Sequence, residues 1–289
     1  MAEISAKDVK TLREQTGAGM MDCKRALADA EGDLKKATDL LRERGLAKAG
    51  KREGRATSEG VISIATADRA GAMVELGCET DFVARTDSFI ALGDRLARAV
   101  AEDPKIGSVD ALLATPIDGE KVSDKVVAAI AVLGENVVVK RLARLAVGSG
   151  VVGGYVHAGA KLGVLVALEA NEGGPALLAL AKDIAMHIAA ADPSPVAVNR
   201  AGISPELLAA EREIYRKQAL GSGKPEKILD RIVDGKVDKF VSEVALVEQP
   251  FVKDPDKSIG ALLTEHGGGV NVSAFERFKL GQGEEARAE

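Results

Sequence analysis

Ala72-Met73-Val74-Glu75-Leu76-Gly77-Cys78-Glu79-Thr80-Asp81-Phe82-Val83-Ala84-Arg85 passes from a strand-like apolar run into a helix start. From about Ser88, apolar residues recur at helical spacing: Phe89, Leu92, Leu96 and Val100, ending before Pro104. Upstream, Val61 to Thr66 reads as a partner strand, joined to Ala72–Cys78 by the hairpin turn Asp68-Arg69-Ala70-Gly71. At the strand-to-helix turn, Thr80-Asp81 suits a helix N-cap. Phe82 suits a staple packing back on the following helix. In a chain with no Trp, two Tyr and six Phe, a ring beside a carboxylate at an exposed turn also suits a charged wedge for a partner's crevice. On the local residues alone the cap and the staple are the favoured readings.

A second copy of this unit follows. Val151-Val152-Gly153-Gly154-Tyr155-Val156-His157 and Leu162–Glu169 repeat the two strands, and Leu177, Leu180, Ile184 and Ile188 repeat the helix, which ends before Pro193. Leu92-Gly93-Asp94-Arg95-Leu96 lines up with Leu180-Ala181-Lys182-Asp183-Ile184. The fold class expected is α+β: a core of two related subdomains, each a small antiparallel sheet with helices on one face. Between the copies, Val122–Leu133 reads as helix and Val137–Leu145 has mixed, strand-like character.

Ahead of the core, residues 1 to 45 read as three short helices. Ser5-Ala6-Lys7-Asp8 starts the first, with Val9, Leu12 and Thr16 on one face and Gly17 as the stop. The second, from about Met20 to Ala30, carries Met21 and Leu27. Asp33 caps the third, which turns Leu34, Ala37 and Leu41 inward and ends at Gly45. So small a module is marginal alone and is expected to display one face to a partner. Lys48, Lys51, Arg52 and Arg55, with Gly50 and Gly54 between them, read as a basic solvated linker; no aromatics are interleaved for base stacking.

Ser204-Pro205-Glu206 opens another helix. Leu207, Leu208, Ile214 and Tyr215, a turn at Gly221-Ser222-Gly223-Lys224-Pro225, and Ile228, Ile232, Val233, Val237, Phe240 and Val241 make an antiparallel coiled-coil hairpin. The tail carries Gln249-Pro250-Phe251-Val252, a helix from Ser258 to His266, a strand over 274–280 and a polar end. The division expected is 1–54, 55–148, 149–203, 204–247 and 248–289, the last segment completing the core.

At 289 residues the chain is long enough for one sizeable core or about two to four modules. A net charge of −5 argues against generic nucleic-acid binding. Two distant Cys give neither a disulfide framework nor zinc spacing and fit a reducing cytosol. The N-terminus lacks the character of a signal peptide, and no apolar run is long enough to span a bilayer. His157, His187 and His266 have no ligand-spaced neighbours; His187, beside Met186, reads as packing at a helix edge. There is no phosphate-binding Gly-Lys-Ser/Thr loop and no Gly-x-Ser-x-Gly elbow, so neither metal, cofactor nor enzymatic bond chemistry is expected.

Several ordered motifs give the chain a specific likeness. Leu12-Arg13-Glu14-Gln15-Thr16-Gly17-Ala18-Gly19-Met20-Met21-Asp22-Cys23-Lys24, Thr80-Asp81-Phe82-Val83-Ala84, Gly163-Val164-Leu165-Val166, Ile184-Ala185-Met186-His187, Ser222-Gly223-Lys224-Pro225 and Gln249-Pro250-Phe251-Val252 run in the order and spacing of one family. Over essentially its whole length the chain resembles the elongation factor Ts family, guanine-nucleotide exchange factors of bacterial-type translation. The resemblance implies a first module similar to a ubiquitin-associated domain, docking on the GTPase domain of elongation factor Tu through Leu12, Arg13, Gly17, Met20 and Met21. It implies that Thr80, Asp81, Phe82 and Val83 insert near the partner's magnesium site, that His157 touches the partner's far side, and that the coiled coil extends away. It permits a homodimer. One departure is local: where the family often reads Tyr-x-His-Gly, this chain has Tyr155-Val156-His157-Ala158-Gly159. The rival expectation is a non-catalytic adaptor that binds elongation factor Tu equally with and without GDP.

Overall fold

The structure, a computed structural model, describes residues 4–67, 69–220, 226–267 and 269–282. The expected turn at Gly221–Pro225, the side chain of Ile228, Asp68 of the first hairpin and the tail beyond 282 lie outside the described residues.

Three helices come first: α1 (Ala6–Thr16), α2 (Met20–Asp29) and α3 (Leu34–Gly50). Ser5 Oγ accepts from the Asp8 amide, and Asp33 accepts from the Lys35 and Lys36 amides, satisfying N–H groups the helices leave unpaired. Gly17 takes φ 66° and its N–H closes on Arg13 O, a left-handed stop that suits glycine. Val9, Leu12, Cys23, Ala26, Leu27, Ala30 and Ala37 form this module's core.

The first subdomain pairs β1 (Glu59–Ala67) with β2 (Ala70–Cys78), the register matching Ala67 to Ala70, so the turn is tighter than expected. A single turn α4 (Asp81–Ala84) leads to α5 (Asp87–Glu102). Then come α6 (Val109–Ala114), the ribbon β3 (Pro116–Ile117) with β4 (Glu120–Lys121), α7 (Val122–Leu133) and β5 (Val137–Ala146), which lies antiparallel beside β2. The second subdomain has β6 (Gly150–Val156), β7 (Leu162–Glu169) and α8 (Pro175–Ala190). After the helical hairpin α9 (Pro205–Leu220) and α10 (Glu226–Val244) come β8 (Pro250–Phe251), β9 (Asp254–Ser258), α11 (Ile259–His266) and β10 (Asn271–Lys279), which pairs with β7.

The sheets are therefore β1-β2-β5 and β6-β7-β10. Each is a hairpin whose second strand receives a third strand after an excursion of the chain. Both third strands carry a register irregularity near their starts, opposite Glu75/Leu76 in one sheet and between Val272 and Ala274 in the other. The sheets face each other through Ile62, Met73, Val152, Leu165, Ala167 and Phe278. Glycine makes the approach possible: a Cβ at Gly163 would lie 2.6 Å from Ile62 Cγ2 and 2.9 Å from Met73 Sδ. On the outer faces α5 covers the first sheet and α8 the second. The two covers use one contact with its small partner exchanged. A Cβ at Gly93 of α5 would meet Ser63 Oγ at 2.6 Å, whereas Ala181 of α8 has its Cβ 2.6 Å from where a Cβ of Gly153 would stand. The aligned positions Gly93 and Ala181 thus fill the same place in each half.

Two expectations are corrected. The third helix does not end at Gly45 but runs to Gly50. Gly45 is a packing position, where a Cβ would come 3.3 Å from Ala131 Cβ on α7. The basic stretch after it is not a free tether: Arg52 donates to Ile130 O at 3.2 Å, and Arg55 pairs with Glu79 at 3.5 Å. Arg42 adds an ion pair to Asp124 of α7 at 2.8 Å. The N-terminal helices are thus seated on α7.

In the helical hairpin, Ala219, Leu229 and Val233 pack with Tyr215 and Ile232, while Ile214 faces out, 46% exposed, instead of joining the seam as expected. At its base, segments 196–198 and 244–247 run side by side: Val196 N–H donates to Val244 O, Leu246 N–H to Ala197 O and Val247 N–H to Val198 O, at 2.9–3.0 Å. Among the described residues no helix is long and apolar enough to cross a membrane.

Candidate functional site: the turn after β2

β2 is buried along nearly its whole length and delivers Cys78 to the edge of the core. The Cys78 thiol donates to Thr80 O at 3.2 Å, and burial, aided by the nearby Glu135 charge, pushes it up to about 12. Its burial marks it as a structural thiol. Thr80 caps α4, its Oγ1 accepting from the Val83 amide at 3.4 Å. The N-cap expectation is met.

The ring of Phe82 is 82% exposed, the most exposed large apolar side chain described. It does not staple α5; Phe89, fully buried, holds that helix to the sheet. Asp81 pairs with Arg85 one turn later at 3.0 Å. Val83 points the other way. At 9% exposure it belongs to the first subdomain's core and anchors the turn.

The turn rests on residues that the sequence did not single out. The Glu135 carboxylate, just beyond α7, accepts from Glu79 N–H at 3.1 Å, Thr80 N–H at 2.9 Å and the Thr80 hydroxyl at 2.5 Å. In return, Glu79 Oε1 accepts from Asn136 N–H at 2.7 Å, and Asn136 Nδ2 donates to Arg55 O at 3.0 Å. The Asn136 amide, then Arg55, hold the Glu79 carboxyl below its usual range. A polar Gly-Glu-Asn between a helix and a strand reads only as a loop. Nothing in one sequence ties it to a turn more than fifty residues earlier.

The expected docking residues divide. Arg13 is exposed, Met20 and Met21 are 57% and 62% exposed, and Gly17 lies at the turn beside them. A Cβ at Gly17 would sit 3.7 Å from Val132 of α7. Leu12 is corrected: fully buried among Val9, Cys23 and Leu27, it cannot touch a partner and serves as the module's core. Met21 faces outward, whereas Leu27 on the same helix is fully buried.

His157 stands exposed at the tip of the β6–β7 hairpin, its Nδ1 2.9 Å from the Tyr155 hydroxyl. The loop closes through Ala160 N–H to His157 O, and Ala160 O accepts from Ile62 N–H at 2.7 Å, tying the tip to β1. His187 is not at a helix edge but fully buried. Its Nδ1 accepts from Val252 N–H at 3.3 Å, which leaves Nε2 to donate to Gln249 Oε1 at 3.0 Å. Gln249 Nε2 donates onward to Pro193 O and Glu243 O. Burial holds the imidazole below its ordinary range. Two motifs far apart in sequence thus meet at the foot of the helical hairpin. Among the described residues no cluster of His, Cys, Asp and Glu could hold a metal ion.

A family model described as "Elongation factor TS" matches residues 79–282. The chain is 44% identical over 293 residues to "Elongation factor Ts" of Clostridium perfringens (strain SM101 / Type A), covering 99% of this chain and 96% of that protein. The protein of the same name from Thioalkalivibrio sulfidiphilus is 46% identical over 288 residues, covering 99% of this chain and 95% of its own. That from Chlorobium phaeobacteroides is 43% identical over 291 residues, with 97% and 100% covered.

Proposed function

We propose, from the premise that the chain belongs to the elongation factor Ts family, that it is a guanine-nucleotide exchange factor releasing GDP from elongation factor Tu in protein synthesis. The observation that carries this reading is Phe82: a large apolar ring left in water beside Asp81, on a turn held rigidly from behind. Side chains presented on loops and turns that a scaffold positions are disproportionately the ones that bind partners.

In this reading Phe82 is the wedge and Asp81 its charge, given up by Arg85 when the turn enters the partner near the magnesium site. Thr80 holds the turn's shape and Val83 roots it. The first module, 1–54, is the ubiquitin-associated-like dock, presenting Arg13, the Gly17 turn, Met20 and Met21. The core subdomains, 55–148 and 149–203 with 248–289, carry the wedge and the His157 tip, which meets the partner's far domain. Residues 204–247 form the coiled-coil arm.

The mechanism is thermodynamic. The factor shifts the partner toward an open, magnesium-disrupted state only by its differential affinity for that state. Linkage makes GDP and the factor weaken each other equally, and a coupling of about 3 kcal/mol corresponds to roughly 150-fold. No bond is made or broken on this chain. The test is release of a fluorescent GDP from purified elongation factor Tu at substoichiometric amounts of this protein. Accelerated release with turnover is expected; binding without acceleration overturns the reading in favour of an adaptor.

A further inference from the structure

We propose that Glu135 is a positioning residue for exchange, its carboxylate setting the direction in which the Thr80–Val83 turn presents Phe82. The inference rests on the exchange reading above and deepens it.

The turn cannot orient itself. α4 is four residues long, too short to hold its own geometry against fraying. The side chain that matters, Phe82, touches almost nothing in the free protein. Its direction is therefore imposed by the backbone on either side. On the C-terminal side Val83 and Ala84 are sunk in the core. On the N-terminal side the Cys78 thiol holds Thr80 O, and the charged constraint is Glu135. One carboxylate takes two successive backbone N–H groups, of Glu79 and Thr80, together with the Thr80 hydroxyl proton. Because that proton goes to Glu135, the Thr80 oxygen keeps a lone pair facing the Val83 amide. The chain from Glu135 through Thr80 to the first amides of α4 is thus polarised in one sense, and charge-assisted bonds of this kind are stronger and more directional than neutral ones.

Glu135 is itself fixed. Gly134 ends α7 in a left-handed conformation (φ 79°), and the next residue, Asn136, is held at both its amide and its side chain. Glu79 reaching to Asn136 while Glu135 reaches back to Glu79 makes a reciprocal clasp between the strand exit of β2 and the helix exit before β5. A clasp needed for stability alone would have no reason to affect the GDP-release step separately from partner binding. One that aims the wedge must do so.

The experiment measures GDP release from purified elongation factor Tu over a range of partner concentrations. It compares wild type, Glu135→Ala, Glu135→Gln, Phe82→Ala and the double variant Glu135→Ala/Phe82→Ala, with a melting curve for each. Expected for Glu135→Ala is a fall in kcat of about tenfold or more, since misplacing a reacting group by about an ångström costs up to 10²-fold, with KM changed far less. Glu135→Gln, which keeps an accepting oxygen and the shape, falls between. In the Phe82→Ala background Glu135→Ala has little further effect, because a wedge that is absent cannot be mis-aimed. The proposal is overturned if the two losses multiply, if only KM moves, or if activity simply follows the melting temperature across the variants. Should Glu135→Ala fail to fold, a wild-type kcat for Glu135→Gln overturns it, whereas a lowered kcat with unchanged melting sustains it. A wild-type protein that fails to accelerate release defeats the exchange reading and this inference with it. An active wild type with multiplicative variants defeats the inference alone.

Discussion

Replacing Phe82 by Ala separates a wedge from a structural ring. The side chain is 82% exposed, so almost none of its transfer free energy is used in the free fold. Truncation there is expected to change stability by no more than about 0.5 kcal/mol, as for surface substitutions generally. Nearly the whole value of burying a Phe, about 1.5–3 kcal/mol, remains available to a partner. At 1.4 kcal/mol per factor of ten, kcat/KM for GDP release falls by about 10- to 150-fold. Phe89→Ala is the internal control: that ring is fully buried under α5, and its loss costs about 3–5 kcal/mol of stability. The assay is fluorescent-GDP release beside a thermal melt of each variant. Wild-type exchange by Phe82→Ala, or a melting loss comparable to that of Phe89→Ala, would refute the argument.

Removing residues 1–50 takes away α3 and uncovers Ala131 and Val127 on α7; a titration should show a higher half-saturating partner concentration, with a core that still melts cooperatively. Ser63→Gly should destabilise the wild type but stabilise Gly93→Ala, since it removes the 2.6 Å conflict and recreates the pairing of Gly153 with Ala181; chemical denaturation of the cycle reads this sign reversal. His187 is buried neutral, with a folded pKa below its ordinary 6.5. The unfolded chain therefore binds the proton first. Stability contributed by this site is full above about pH 6.5 and is lost as pH falls toward the folded value, by at most about 1.4 kcal/mol per pH unit. His187→Gln should flatten that part of the curve in melts between about pH 7 and about pH 5.

The repeated strand–strand–helix units were legible because alternation and helical spacing are local signals, and Pro104 and Pro193 end both helices cleanly. The bounds of α7 were legible for the same reason, with Gly134 as a plain stop. Gly45 misled: a glycine late in a helix reads as a terminator, and only the facing Ala131 reveals that it is there for close approach. β5 read as mixed because its irregularity near Lys140 breaks the alternation. The ribbon of β3 and β4 is two residues a side and leaves no periodic trace. At the site, residue types found the turn but not its direction. Phe82 could be staple or wedge until its exposure was known, and of the expected docking residues Leu12 is buried while Met21 is exposed, because a motif does not say which of its members face inward. Glu135 was invisible because hydrogen bonds to backbone amides leave no mark on the identity of the residues that donate them.

The base of the helical hairpin has a consequence for how such chains change length. Because 196–198 and 244–247 are laced together at the foot, the two ends of everything between them are already joined before the helices begin. Lengthening or shortening that excursion alters only a closed loop, whose entropy varies slowly, by about 0.6 kcal/mol per doubling. Whole turns of helix can therefore be added or removed in matched pairs with the sheets none the wiser. The length of this hairpin is therefore not fixed by what the two sheets need to fold.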